Sequence, residues 1–183
     1  TTGTPIAAIR ENTRVVSAST IKVSILCCAL QDVMDGKLSL DQPLAIARGD
    51  FCSDTEVFEP GYRQDGASLW EMLYWMIVSS DNTATNTVIS LLGYDHVNQY
   101  CRAIGLTQTS LQRKMLDFQA ISEGRNNYTS PADLYRVFSR LYHGEILNKS
   151  LREVAFDFLS RCRSTDALQR YIPDAVTVLH KPG

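Results

Sequence analysis

The chain has 183 residues, 44% of them hydrophobic, and its 18 basic and 20 acidic residues give a formal net charge of -2. This length and composition suffice for one hydrophobic core and require no second one, so we predict a single domain over residues 1–183. The intermixed charges leave no basic stripe for nucleic acid and no polybasic membrane patch. No apolar run is long enough to span a bilayer, so small molecules or peptides are the expected partners.

The first third of the chain predicts two short strands, one buried helix and a long connection. Residues 5–9 and 14–16 are predicted to form a hairpin at a sheet edge. Apolar side chains then recur at helical spacing over residues 21–33, which places Ser19 at the beginning of a buried helix, near the positive end of its dipole. Residues 37–66 contain prolines, glycines and charges without periodicity, which predicts a surface connection.

The rest of the chain predicts mainly helices. Ser68 to Glu71 form a capping box that opens the second helix, and a similar pattern from Ser150 to Glu153 predicts the beginning of the last one. Between them, Gly93, Gly105 and Gly144 are predicted to end three further helices, a polar irregular stretch covers residues 107–129, and residues 176–180 alternate like a strand.

Cysteine and histidine spacing argues against a metal centre. The five cysteines form no C-x-x-C pair, and most of them are expected to pack in the core. The three histidines are scattered without ligand spacing. The sequence therefore predicts neither a metal nor another cofactor.

Three short motifs carry the chemistry: Ser19-Thr20-Ile21-Lys22, Ser80-Asp81-Asn82 and Lys181-Pro182-Gly183. A serine hydroxyl needs a neighbouring base to become a nucleophile, and a lysine three residues later on a helix lies on the same face. Each motif is weak alone, but together they indicate an acylating serine enzyme.

This trio resembles the S-x-x-K, S-D-N and K-T-G signature of class A β-lactamases and penicillin-binding proteins. The similarity extends to the segments between the motifs, where residues 109–113 and 129–132 look like the two ends of an active-site Ω-loop. The resemblance implies an α+β fold in which a helical subdomain packs on an antiparallel sheet. It also implies that the chain is truncated at both ends and lacks the C-terminal strands.

The resemblance assigns a role to each motif residue. Ser19 would be the nucleophile and Lys22 its base, with a pKa lowered by burial and by the charge of Lys181. Ser80 would relay a proton to the leaving nitrogen, whereas Asp81 is expected to order the turn. Substrate contacts are expected from three residues: Asn82, Lys181 and Gly183. The alternatives are ordinary helix caps for the two serines and a plain strand-end charge for Lys181.

Two positions depart from the family pattern. The family has a glutamate two residues after its Ω-loop arginine, which orients the water that releases the acyl-enzyme. If Arg113 is that arginine, Met115 occupies the position, and Asp117 becomes the possible deacylation base unless it is only a surface or capping residue. Pro182 replaces the usual threonine or serine and removes a backbone N–H, so substrate carboxylate binding should weaken.

The sequence therefore predicts a serine hydrolase that forms an acyl-enzyme on Ser19 with a β-lactam or related amide and releases it slowly. Two alternatives stay open: a penicillin-binding D-Ala-D-Ala peptidase or transpeptidase, and a non-catalytic homologue that binds ligands. The resemblance implies an extracytoplasmic or secreted bacterial protein, although no signal-peptide pattern opens this chain. It leaves the oligomeric state open.

Overall fold

A computed structural model describes residues 7–53, 55–163, 171–173 and 175–183. Its helices are α1 (Ile21–Met34), α2 (Leu69–Val78), α3 (Asn82–Leu92), α4 (Tyr94–Ala103), α5 (Phe118–Ser122), α6 (Pro131–His143) and α7 (Lys149–Ser160). Its strands are β1 (Val15–Val16), β2 (Pro43–Leu44), β3 (Ala67–Ser68) and β4 (Tyr128–Thr129), and short 3-10 turns cover Ala18–Thr20 and Arg48–Asp50. The architecture is the predicted one, helical with small antiparallel strand pairs.

Helix α1 lies at the centre of the molecule. It packs against α2, α3, α4 and α7, and its residues from Ile21 to Leu30 are all buried. Apolar residues on every face make this possible, because a helix that is hydrophobic all round is stable only inside a core. The predicted end of the helix is confirmed, since α1 stops at Met34 and Gly36 follows with a φ of +72°.

The helix boundaries follow their caps, with one correction. The Ser68 side chain accepts a hydrogen bond from the Glu71 amide at 3.2 Å, which confirms the beginning of α2. The predicted cap of α7 at Ser150 is wrong, because Asn148 accepts the Leu151 amide at 3.0 Å. Ser150 already lies in the first turn and donates its hydroxyl to Asn148.

Both strand predictions near the chain ends need correction. Strand β1 pairs with β4, in the register Val15 to Thr129, and not with residues 7–9, which form no strand; residues 5 and 6 lie outside the described residues. The second pair joins β2 to β3. Residues 176–180 are irregular, and the His180 amide reaches the Leu159 carbonyl of α7 at 3.4 Å. Alternation alone does not make a strand without a neighbouring ladder.

In the part of the chain that the structure describes, no helix has the length and apolar character needed to cross a bilayer. All five cysteines are buried and reduced, as the sequence predicted for packing residues.

Candidate active site

Ser19 lies in the 3-10 turn that leads directly into α1. The turn is held by Ser17, whose carbonyl accepts both the amide and the hydroxyl of Thr20, at 3.0 and 2.6 Å. Ala18 has a φ of +43°, a conformation that costs a non-glycine residue on the order of 1–3 kcal/mol. This bent entry presents a half-buried Ser19 hydroxyl at the N-terminal end of a buried helix.

Lys22 follows Ser19 by three residues and is completely buried, with 0% of its surface exposed. Its ammonium group donates to the Ser80 carbonyl at 2.6 Å, to Ser80 Oγ at 3.0 Å and to Asn82 Oδ1 at 2.9 Å. A buried lysine needs such partners, because burying an unpaired amine is costly. Lys22 thereby links α1 to the turn that precedes α3.

Ser80 connects this lysine to the predicted nucleophile. Its Oγ lies 3.1 Å from Ser19 Oγ and 3.0 Å from Lys22 Nζ, so a chain of hydrogen bonds runs from Nζ through one hydroxyl to the other. Ser80 has a φ of +61°, which aims its side chain toward Ser19 at a conformational cost. Two strained residues therefore flank the same hydroxyl.

Asp81 holds the turn in place. It is buried, caps α3 by accepting the Ala84 amide at 2.8 Å, and uses its other oxygen to accept the Val57 amide at 3.0 Å. The same oxygen accepts a hydrogen bond from the Thr55 hydroxyl. These contacts match the structural role that the sequence analysis expected for this residue.

The Lys181 to Gly183 segment forms one wall of a cleft of about 440 Å³ that Ser19 and Ser80 also line. Lys181 is 8% exposed and donates to the Pro182 carbonyl at 2.9 Å. Burial lowers the pKa of the Lys181 ammonium group, with a small opposing effect from Cys162. The structure thus brings together Ser19, Lys22, Ser80 and Asn82, with Lys181 and Gly183 in the wall beside them.

Gly183 packs closely against the backbone amide of Ser19. A Cβ atom on this residue would lie 2.8 Å from the Ser19 nitrogen and 2.7 Å from the Thr20 nitrogen. Real side-chain carbons do not approach backbone nitrogen this closely, so a larger residue here would displace the segment or the Ser19 amide, the N–H that the family pattern assigns to the oxyanion.

We expect Gly183→Ala to lower the acylation rate by about 10²–10³-fold, the range found when one oxyanion donor is lost. The added methyl group would press against the Ser19 and Thr20 amides or push the segment away from Ser19. Stopped-flow measurement of penicillin acylation would test this, with the thermal midpoint as a control for folding. Acylation within threefold of the unsubstituted rate would contradict the prediction.

A charged pair at the cleft was not predicted from the sequence. Arg163 Nη1 lies 3.4 Å from Glu56 Oε2, and both side chains line the cleft that contains Ser19. The Arg163 guanidinium also lies over the Trp75 ring, 5.2 Å from its centroid. Both residues occupy irregular segments, where periodicity gives no signal of position.

Residues 107–129 form an extended polar segment, as expected for the Ω-loop, with α5 and β4 inside it. Arg113 is buried and donates from Nε and Nη2 to Asn126 Oδ1, at 3.0 and 2.8 Å. Burial lowers the pKa of this guanidinium, with an opposing effect from Asp117. Asn127 adds a second tie, because its Oδ1 accepts the Gln112 and Arg113 amides.

Met115 and Asp117 lie beside a different cavity. Met115 is 7% exposed, and its amide donates to Asn86 Oδ1 at 2.7 Å. Asp117 caps α5 by accepting the Ala120 amide at 2.9 Å. Both line a cavity of about 350 Å³ that shares no lining residue with the Ser19 cleft. The Asp117 carboxylate is thus engaged in the cap of α5, and this contact matches the capping alternative.

Comparison with known proteins identifies the family. The family model described as "Beta-lactamase enzyme family" matches residues 1–183. A β-lactamase of Rhodobacter capsulatus is 31% identical over 180 residues, which cover 95% of this chain and 60% of the relative. The AER-1 β-lactamase of Aeromonas hydrophila is 28% identical and is matched over 53% of its length.

Solved structures agree with this assignment. An acyl-enzyme complex of a PBP-A variant with penicillin G superposes with a TM-score of 0.86 at 27% identity, over 94% of this chain and 64% of that one. A β-lactamase from Sphaerobacter thermophilus, at 24% identity and a TM-score of 0.82, has the same fold. The chain belongs to the β-lactamase enzyme family, in the group of class A serine β-lactamases and PBP-A. It spans about 60% of the length of these relatives.

Proposed function

We propose that this protein is a serine hydrolase that forms an acyl-enzyme on Ser19 with a β-lactam or related amide and releases it slowly. The observation that carries the proposal is the hydrogen-bonded chain from Lys22 Nζ through Ser80 Oγ to Ser19 Oγ, with links of 3.0 and 3.1 Å. These separations allow protons to move between the three groups within a single encounter with substrate.

Acylation would proceed through this chain. With Lys22 uncharged, the Ser19 proton passes to the Lys22 amine, directly or through the Ser80 hydroxyl, while Oγ attacks the amide carbon. The carbonyl oxygen becomes an oxyanion that the Ser19 N–H stabilises beside Gly183. When the C–N bond breaks, the Ser80 hydroxyl gives its proton to the leaving nitrogen and is reprotonated from Lys22.

Substrate recognition would use the wall of the cleft. Lys181 supplies a positive charge for the carboxylate of a β-lactam or a D-alanyl peptide, and by the family pattern Asn82 would contact the substrate's side-chain amide. Pro182 has no N–H to offer, so it contributes no backbone donor to that carboxylate. By family resemblance, we also propose an extracytoplasmic or secreted location for this activity.

Slow release would follow from Met115. By the family pattern its position belongs to a glutamate that activates water, and a thioether accepts no proton. We therefore expect the acyl-enzyme to accumulate. Intact-mass measurement after exposure to penicillin G should show a single adduct of one penicillin mass, and Ser19→Ala should show none. A full-length protein that stays unmodified would contradict the proposal and favour the non-catalytic alternative.

A second candidate activity is that of a D-alanyl peptidase or transpeptidase. Two observations favour it: the superposition on PBP-A and the absence of a carboxylate at Met115. Release of D-alanine from a synthetic peptide that ends in D-Ala-D-Ala would distinguish the two candidates. Sustained nitrocefin turnover without D-alanine release would favour the lactamase.

The charge of Lys181 should give acylation a distinctive pH dependence. Because burial lowers the pKa of Lys181, the folded protein loses this charge at a lower pH than an ordinary lysine would. The apparent acylation rate at low penicillin concentration should therefore fall as pH rises through that lowered pKa, and Lys181→Arg should shift this loss to higher pH.

The lowered pKa of Lys181 should make the free energy of unfolding rise with pH, in contrast to the acylation rate, which should fall. Between the folded pKa and the higher unfolded pKa of Lys181, the unfolded chain binds more protons, so the free energy of unfolding rises with pH. Stopped-flow acylation and urea unfolding over the same pH series would check both signs. If the fall of the acylation rate with rising pH is the same in a folded Lys181→Arg variant, a group other than Lys181 causes it.

A further inference from the structure

A cluster of three potential metal ligands lies between α1 and α4, outside the Ser19 cleft. Cys28 and Asp32 are one turn apart on α1, and His96 faces them from α4. Their ligand atoms, one sulfur, one carboxylate oxygen and one imidazole nitrogen, all lie within 4.8 Å of one another. The sequence spacing gave no sign of this cluster, because it depends on how two helices pack.

We propose that Cys28, Asp32 and His96 form a binding site for one Zn²⁺ ion. A thiolate, an imidazole and a carboxylate are all zinc ligands, at about 2.0–2.3 Å from the metal, whereas Mg²⁺ and Ca²⁺ prefer oxygen ligands alone. Three such bonds place the ligand atoms about 3.3–3.8 Å apart in a tetrahedron, so only small side-chain rotations are needed. Water would complete the coordination, because the His96 side chain is 40% exposed.

The existing contacts already orient the ligands. His96 Nε2 lies 2.7 Å from Asp32 Oδ2, so the nitrogen that would bind zinc points at the carboxylate that would share the ion. Cys28 is fully buried and Asp32 is 5% exposed, which leaves His96 as the solvent side of the site. Zinc would take the place of this hydrogen bond, with the neutral imidazole binding through Nε2 and carrying its proton on Nδ1.

One cation competes with zinc for the same carboxylate. Lys37 Nζ lies 3.1 Å from Asp32 Oδ1, but it also lies 2.9 Å from Asp35 Oδ2. The lysine side chain is 57% exposed. It can therefore leave Asp32 and keep its contact with Asp35, so the competition weakens zinc binding without blocking it.

Binding must release the thiol proton of Cys28 to solvent, because zinc coordinates the thiolate. Burial raises the pKa of this thiol well above its ordinary value, with a further contribution from Asp32. Zinc affinity should therefore fall as pH decreases. A bound ion would join α1 to α4, so zinc should also raise the thermal midpoint of the protein.

The test uses Zn²⁺ alone, added to chelator-treated protein in a calorimetric titration. We expect one ion per chain and a rise in the thermal midpoint. His96→Ala should weaken binding at least tenfold, whereas His143→Ala, at an exposed position on α6, should bind like the unsubstituted protein. Equal affinities in these two variants, or no saturable uptake, would overturn the proposal.

A spectroscopic measurement identifies the sulfur ligand. The Co²⁺-substituted protein should show a near-ultraviolet thiolate-to-metal absorption band. Cys28→Ser should lose the band, and Cys101→Ser, which alters another buried thiol, should retain it. A cobalt complex without the band, or a band that survives in a folded Cys28→Ser variant, would contradict the assignment of Cys28. None of these readouts depends on the chemistry at Ser19.

Discussion

Lys22→Met is expected to lower the rate of Ser19 acylation by about 10²–10⁴-fold, the usual contribution of a general base. Methionine is an unbranched side chain one atom shorter than lysine, and it offers no proton acceptor of comparable basicity. The substitution also removes the donor to the Ser80 carbonyl, Ser80 Oγ and Asn82 Oδ1. Stopped-flow mixing with a fluorescent penicillin would measure the effect.

A structural loss must be separated from a chemical one, because three partly buried acceptors lose a hydrogen bond from Lys22 in this variant. Unpaired buried groups cost about 1–3 kcal/mol each, so urea unfolding has to show that the variant is folded under the assay conditions. Lys149→Ala is the matched control, since this lysine is 82% exposed and does not line the cleft. Acylation within twofold of the unsubstituted rate in folded Lys22→Met would remove Lys22 from the mechanism.

Met115→Glu is expected to have the opposite effect on the second half of the reaction. A carboxylate at this position would supply the base that the family pattern places there, and deacylation should accelerate by about 10²–10⁴-fold. The decay of the penicillin adduct, followed by intact mass, measures this directly. Acylation itself should change little, because the family pattern gives this position a role only in the release of the acyl-enzyme.

The controls for this prediction separate charge from shape. Met115→Gln introduces a side chain of the same length as glutamate but no general base, so its adduct should decay at the original rate. Asp117→Asn keeps the cap on α5, since asparagine caps helices as well as aspartate does. If Asp117→Asn slows the original decay, Asp117 contributes to deacylation. If glutamine accelerates decay as much as glutamate, general-base catalysis at this position is wrong.

Local patterns predicted most of the helices but few of the strands. The placement of Ser19 near Lys22 is set locally, by the 3-10 turn and the first turn of α1, and Ser68 caps α2 through the amide three residues on. A strand needs a partner from elsewhere in the chain, which explains why β1 pairs with β4 and why residues 176–180 stay irregular. Ser150 misled the α7 assignment because two capping residue types lie close together there.

The parts of the candidate site that local sequence patterns could not predict are those formed by residues distant in the chain. The meeting of Ser19 with Ser80 was expected only through family resemblance, since 61 residues separate them. Glu56 and Arg163 reach the same cleft from two irregular segments, and no local signal marks either of them. Asp117 was proposed because it is the carboxylate nearest to Met115 along the chain. In the structure its side chain caps α5, and position along the chain could not show this.

Because α1 lies at the centre of the core, the geometry of the candidate active site should be lost only when the whole protein unfolds. Backbone amides in such a helix become accessible to solvent only when the surrounding helices separate, so they should be among the slowest to exchange with deuterium. Lys22 lies within this helix and Ser19 in the turn that leads into it, so both should lose their positions only when the core opens. Inactivation by heat should therefore coincide with cooperative melting, instead of preceding it as local fraying would.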